Sequence, residues 1–142
     1  MNDSQKKFLL NLAKTSIETY LKTGGQPEID KSELDDFLIE KRGAFVTLHL
    51  HGNLRGCIGY ILPYKPLYLT VIENAINAAF RDPRFPELSA EEFVKTDIEI
   101  SVLSVPRKIN TISEIILGKH GIILKNGFYQ AVFLPQVAVE QN

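Results

Sequence analysis

The chain has one cysteine, one methionine and no tryptophan. With Cys57 alone, no internal disulfide can form and no cysteine-only metal site can be built. No apolar run approaches the ~20 residues of a membrane span. The start, Met1 to Phe8, is too polar for a secretory leader. No membrane association is expected, and a cytoplasmic location follows. An excess of positive charge is missing too. Lys and Arg total 16 against 17 Asp and Glu, for a net charge of -1. A large nucleic-acid footprint normally needs clustered excess cations, so nucleic acid is disfavoured as a partner. There is no Walker loop, no GxSxG elbow and no dinucleotide-binding glycine pattern. The three histidines, His49, His51 and His120, make no metal motif. His49 and His51 share a strand face, but no third ligand follows at a useful spacing. Neither a metal nor a cofactor is expected.

What remains is an ordinary globular composition, 44% hydrophobic and 23% charged, over a length that suits one domain with a real core. Leu9, Leu12, Ala13, Ile17, Tyr20 and Leu21 recur at helical spacing, which predicts a helix from Ser4 to Lys22 ended by Gly24-Gly25 and Pro27. Ser32 to Leu38 reads as a short turn or helix. Gly43 to Leu50 alternates like a strand, His51-Gly52-Asn53 reads as a turn, and Leu54 to Ile61 as the return strand. Pro66 suits the first turn of a nearly all-apolar helix, Leu67 to Phe80. Ser89 and Glu92 have capping-box spacing, and Asp97 to Val105 alternates as a strand. Thr111 to Leu117 reads as a second capped turn. Gly121 to Leu124 and Phe128 to Leu134 read as strands joined at Lys125-Asn126-Gly127. Hairpins mixed with helices imply an α+β fold with an antiparallel β-sheet flanked by helices.

The most informative stretch is Asn53 to Tyr60, where Cys57 lies between Gly56 and Gly59 and two residues after Arg55. Glycines within a strand mark a place where something approaches the backbone closely. Side-chain parity sets Val46, Leu48 and Leu50 on one face of the first strand, and Thr47, His49 and His51 on the other. On the return strand Leu54, Ile58 and Tyr60 share a face, opposite Arg55, Cys57 and Gly59. Matching the apolar faces predicts a three-residue turn, with Leu50 opposite Leu54, His49 opposite Arg55 and Thr47 opposite Cys57. A two-residue turn would instead bring Cys57 into the core beside Leu48. In the first register Arg55, Cys57, Thr47 and His49 share one polar face. A guanidinium or imidazolium beside a thiol favours the thiolate, which makes Cys57 a candidate nucleophile. Free cysteines are also common as small buried hydrophobes, and the glycines then only relieve crowding under Tyr60 or Phe45.

Two further segments carry candidate groups. Arg81 to Phe85 puts charges and an aromatic in a loop after a buried helix, so Asp82 and Arg84 are either binding residues or a local turn network. His120, in Gly118 to Gly121, is a candidate acid/base or a turn residue.

Leu54 to Gly59, LRGCIG, resembles the signature of the AMMECR-type family, the component A of AmmeMemoRadiSam systems. Phe45-Val46-Thr47-Leu48, Asp82 with Arg84-Phe85 and Leu88, Glu99 to Pro106, Gly118-Lys119-His120-Gly121 and Leu134-Pro135-Gln136-Val137 resemble further blocks of that family, in order. The resemblance implies an α+β fold with a smaller sub-structure and a functional surface at the hexapeptide. It also implies that a C-terminal segment usual in the family is missing from a single domain of residues 1–142.

Three functions compete. The first is a ligand- or protein-binding adaptor that acts through the hairpin, with Leu54, Arg55, Gly56, Ile58, Gly59, Asp82, Arg84 and His49 as binding residues. The resemblance implies Memo-like and radical S-adenosylmethionine proteins as its partners, alongside a small molecule of unknown kind. The second is an enzyme with Cys57 as nucleophile and His120 or His49 as base. The third, nucleic-acid binding through Arg55, Arg81, Arg84, Arg107 and Lys108, is opposed by the charge balance.

Overall fold

The structure is a computed structural model that describes residues 1–140. Its first helix, α1 (Asp3–Thr23), opens on a capping box in which Asn2 and Gln5 exchange side-chain-to-amide hydrogen bonds of 2.8 Å. It stops at Gly24, whose left-handed φ of 71° closes the last turn. Leu9, Leu12, Ala13 and Ile17 form its buried stripe. A 3-10 turn at Lys31–Glu33 and the short α2 (Asp36–Ile39) follow, and α2 buries Leu38. Pro66 stands one position earlier than expected, at the N-cap of α3 (Leu67–Phe80). Nine of the 14 α3 residues are buried, including polar Thr70 and Asn74. Asn74 satisfies one of its groups by donating to the Ala44 carbonyl.

Three strands, β1 (Ala44–Leu50), β2 (Asn53–Tyr60) and β3 (Thr96–Val102), form an antiparallel sheet in the order β2-β1-β3. Val46 and Leu48 are fully buried, and Ile58, Ile98, Ile100 and Val102 pack on the same core with α1 and α3. Leu50 and Tyr60 are only half-buried, at the ends of that apolar face. The short α4 (Ala90–Phe93) carries the expected Ser89–Glu92 capping box. β3 ends three residues before Val105, although the Leu103 amide still donates to the Gly43 carbonyl.

The hairpin register differs from the parity expectation near its tip. His51 and Gly52 both take positive φ, 52° and 77°, as a type I′ turn requires. The turn therefore has two residues, with Leu50 opposite Asn53 and His49 opposite Leu54. A β-bulge between Leu48 and His49 then takes Arg55 out of the ladder, so Gly56 lies opposite Leu48 and Cys57 opposite Thr47. The Thr47–Cys57 pairing agrees with expectation. The pairings of Leu50 with Leu54 and of His49 with Arg55 do not, because a bulge changes parity along one strand and an alternation pattern assumes it constant. Leu54 consequently lies on the His49 face and is exposed.

Residues from Arg107 on form a second, smaller compact unit. β4 (Ile122–Asn126) and β5 (Tyr129–Phe133) pair antiparallel around Gly127-Phe128, one residue later than the expected turn, with Gly127 at φ 61°. The capped turn around Thr111 is a single 3-10 turn, Ile112–Glu114, and α5 (Pro135–Glu140) follows β5. The fold is thus α+β with antiparallel sheets of three and two strands. Among the described residues no helix is long and apolar enough to cross a membrane. The expectation about the chain's C-terminal end falls on residues outside those described.

Candidate functional site

Cys57 is held through both of its backbone groups, on the outer edge of β2. Its amide donates to Asp82 Oδ2 at 3.0 Å, and its carbonyl accepts from an Arg84 guanidinium nitrogen at 3.4 Å. Both groups therefore point away from β1. Thr47–Cys57 is then a non-hydrogen-bonded pair, the kind in which facing side chains come closest. The outcome is a Thr47 Oγ1 to Cys57 Sγ contact of 3.1 Å. Cys57 is half-buried, so the thiol is neither sealed in the core nor freely solvated.

Asp82 follows directly on the end of α3 and is only 4% exposed. It accepts from the Arg84 amide at 3.1 Å, from Arg84 Nε at 3.0 Å and from the guanidinium terminus at 2.8 Å. These bonds hold the Asp82 carboxyl well below the ordinary carboxylate range, against the upward push of burial. The same pairing raises the pKa of Arg84. The Arg84 side chain itself is 54% exposed and lies over the Phe85 ring, 5.5 Å from its centroid.

Arg55 does not share the exposed face with Cys57, contrary to expectation. From the bulge its side chain turns inward, 8% exposed. Its Nε and one terminal nitrogen engage the two carboxylate oxygens of Glu92 at 3.1 and 3.0 Å. The same terminal nitrogen donates to the Pro86 carbonyl at 2.9 Å, and Nη1 is buried with no partner among the described residues. Bonds from Arg55, then from the Ser89 amide, bring the Glu92 pKa down to about 2. In the sequence Glu92 stands out only as the α4 cap. It serves both roles, and a capping-box glutamate carries no signal for a partner 37 residues away.

The two glycines of the motif answer to different neighbours. A Cβ on Gly56 would run into the backbone carbonyl of Ala78, so α3 approaches β2 there at a distance only glycine permits. A Cβ on Gly59 would meet the Phe45 ring and the Ala44 carbonyl, which bears out crowding under Phe45.

The candidate nucleophile Cys57 and the candidate binding residues Asp82 and Arg84 form one hydrogen-bonded cluster, with Arg55 joined to it through the shared Phe85 ring. His49 is on the Thr47 face of β1, between Leu54 on one neighbour and Asp97 on the other. Ile58 turns to the core face. His120 belongs to the second unit. There its Nδ1 accepts the Ile116 amide at 3.1 Å and its own amide donates to the Ile116 carbonyl, so the imidazole closes a turn. An open groove of about 830 Å³ between α1, α4 and β3, lined by Leu10, Phe93, Val94 and Ile98, contains none of the Cys57 cluster.

The sequence model of the AMMECR1 family matches residues 10–142, which includes every residue of this cluster. The chain belongs to the AMMECR1 family. This AMMECR1 domain is 42% identical over 149 residues to a protein of Methanosarcina barkeri, covering 100% of this chain and 74% of that one. It is 43% identical over 150 residues to a protein of Pyrococcus furiosus, with 99% and 71% covered. The crystal structure of the uncharacterized protein PH0010 from Pyrococcus horikoshii superposes with a TM-score of 0.91 at 40% identity, over 99% of the AMMECR1 chain and 74% of PH0010.

Proposed function

We propose that this AMMECR1 domain is a binding module that presents the Leu54–Gly59 hairpin to a ligand or a partner protein. Memo-like and radical S-adenosylmethionine proteins are the partners proposed, with Cys57 and Arg84 as the contacting groups. The observation that carries this reading is the double backbone clamp on Cys57. Asp82 and Arg84 fix the strand at that residue, which leaves the thiol and one edge of an exposed guanidinium pre-positioned on a rigid element. The sulfur's hydrogen-bond partner is the Thr47 hydroxyl, and a hydroxyl positions a thiol without serving as its base. Arg55 and Arg84 are paired with Glu92 and Asp82, which further weakens the nucleic-acid reading.

The test is reconstitution with the purified Memo-like and radical S-adenosylmethionine proteins of the same source. Co-elution and calorimetry should give a complex that Cys57→Ser and Arg84→Ala weaken about tenfold or more. A complex indifferent to both substitutions, or none with either protein, would overturn the reading. The second reading, a cysteine-dependent enzyme with His49 or His120 as base, has in its favour the partial exposure of Cys57 beside a polar neighbour. It requires that the alkylation rate of Cys57 follow an imidazole titration which His49→Asn or His120→Asn abolishes.

A further inference from the structure

The tip of the hairpin and its stem demand different registers. The two-residue turn at His51-Gly52 puts Leu50 opposite Asn53 and His49 opposite Leu54. Were the ladder to run on unbroken, Arg55 would oppose Leu48 and Cys57 would oppose Val46. Leu48 and Val46 are both 0% exposed. A guanidinium beside Leu48 would face the aliphatic core, where an unpaired charge is strongly disfavoured. The chain avoids this by dropping Arg55 from the ladder. Gly56 then opposes Leu48, Cys57 opposes Thr47, Ile58 opposes Val46 and Tyr60 opposes Ala44. One residue out of register moves every side chain beyond it to the other face.

We infer that Arg55 is a positioning residue for Cys57: its clamp on Glu92 and the Pro86 carbonyl holds the bulge, and the bulge turns the thiol to the polar face of the sheet. Three observations converge on this. Arg55 is the residue skipped in the pairing. Its side chain is 8% exposed and has three charge-assisted bonds to α4 and the loop before it. Downstream of it the Cys57 sulfur reaches Thr47 at 3.1 Å while Ile58 packs on the core. Arg55 therefore acts from inside the protein, through the strand. This rests on the reading of Cys57 as the presented group, but its test needs no partner. A failed reconstitution would leave it standing, and its own failure would leave the partner assay unaffected.

The test is a pair of thiol reporters with opposite expected responses to Arg55→Leu, which makes position 55 apolar enough to sit opposite Leu48. Iodoacetamide alkylates by displacement: the sulfur bonds to the methylene carbon, iodide leaves, and the thiol proton passes to buffer. In the native protein Arg55→Leu should slow alkylation of Cys57 by about tenfold. In a Cys57→Ser, Ile58→Cys background the same change should speed alkylation at position 58 by a similar factor, because the slipped register turns that side chain outward. General loosening would accelerate both reporters and would overturn the inference, as would no change in either. Deletion of Arg55 provides a second variant in case the leucine form does not fold. It removes the extra residue, gives an unbroken ladder and keeps Cys57 opposite Thr47. Its alkylation rate should match that of the unaltered protein, and protection of Cys57 in the deletion would equally overturn the inference.

Discussion

Asp82 and Cys57, 25 residues apart, are joined by a hydrogen bond from the Cys57 amide to Asp82 Oδ2 at 3.0 Å. The edge of β2 is thus completed at Cys57 by a carboxylate and a guanidinium where a further strand would otherwise lie. Side chains that occupy an edge in this way also keep it from pairing with another chain.

Removal of this acceptor should be felt in stability. Asp82→Ala leaves the Cys57 amide and the Arg84 guanidinium without their partner, and should cost about 1–3 kcal/mol in urea unfolding. Arg84→Ala should cost about 1 kcal/mol, less because that side chain is 54% exposed. The double variant should lose clearly less than the two single losses added together, since both remove the same interaction. Additive losses would show that the two residues act independently.

Gly56→Ala should destabilise the protein by about 2 kcal/mol or more, because the new methyl would collide with the Ala78 carbonyl between two packed backbones. Loss of the far-ultraviolet circular dichroism signal at a lower temperature than in the parent is the measurement. An unchanged midpoint would mean that α3 and β2 can separate at no cost.

Acid should weaken the Arg55–Glu92 clamp. Glu92 has an ordinary value of 4.5 and a folded value of about 2, so folding depresses its pKa. A depressed carboxylate contributes stability that is fully present above about 4.5 and is lost as pH falls towards 2. Asp82 adds a contribution of the same sign below its ordinary 3.8. Unfolding midpoints measured between neutral pH and about 2.5 should fall in this window. Glu92→Gln should flatten the fall, and an identical slope in the variant would contradict the pairing.

The bulged register separates two leucines. Leu48, fully buried, should cost about 2–5 kcal/mol on change to alanine. Leu54, 41% exposed on the opposite face, should change stability by no more than about 0.5 kcal/mol. Denaturant titration of both variants decides this. Comparable losses would return Leu54 to the core face that unbroken parity assigns to it.

Much of the scaffold was determined by local chemistry and was legible in the chain. The apolar run Leu67–Phe80 behind Pro66, the stripe of α1 before Gly24 and the Ser89–Glu92 box each contain their own start or stop. Such signals act over one or two helical turns, so a linear reading captures them. The motif around Cys57 was legible too, as was the pairing of Thr47 with Cys57, because the aliphatic face of β1 admits only one side of β2. What only the tertiary structure decided is how that pairing is reached. A two-residue turn and a bulge at Arg55 replace one longer turn, since a guanidinium without water must find Glu92 and Pro86, both more than 30 residues along the chain. The need for Gly56 likewise comes from Ala78, on a helix whose approach no pattern within β2 records. Contacts between distant segments depend on the packing of whole elements, and alternation along one strand carries no information about what will lie across from it.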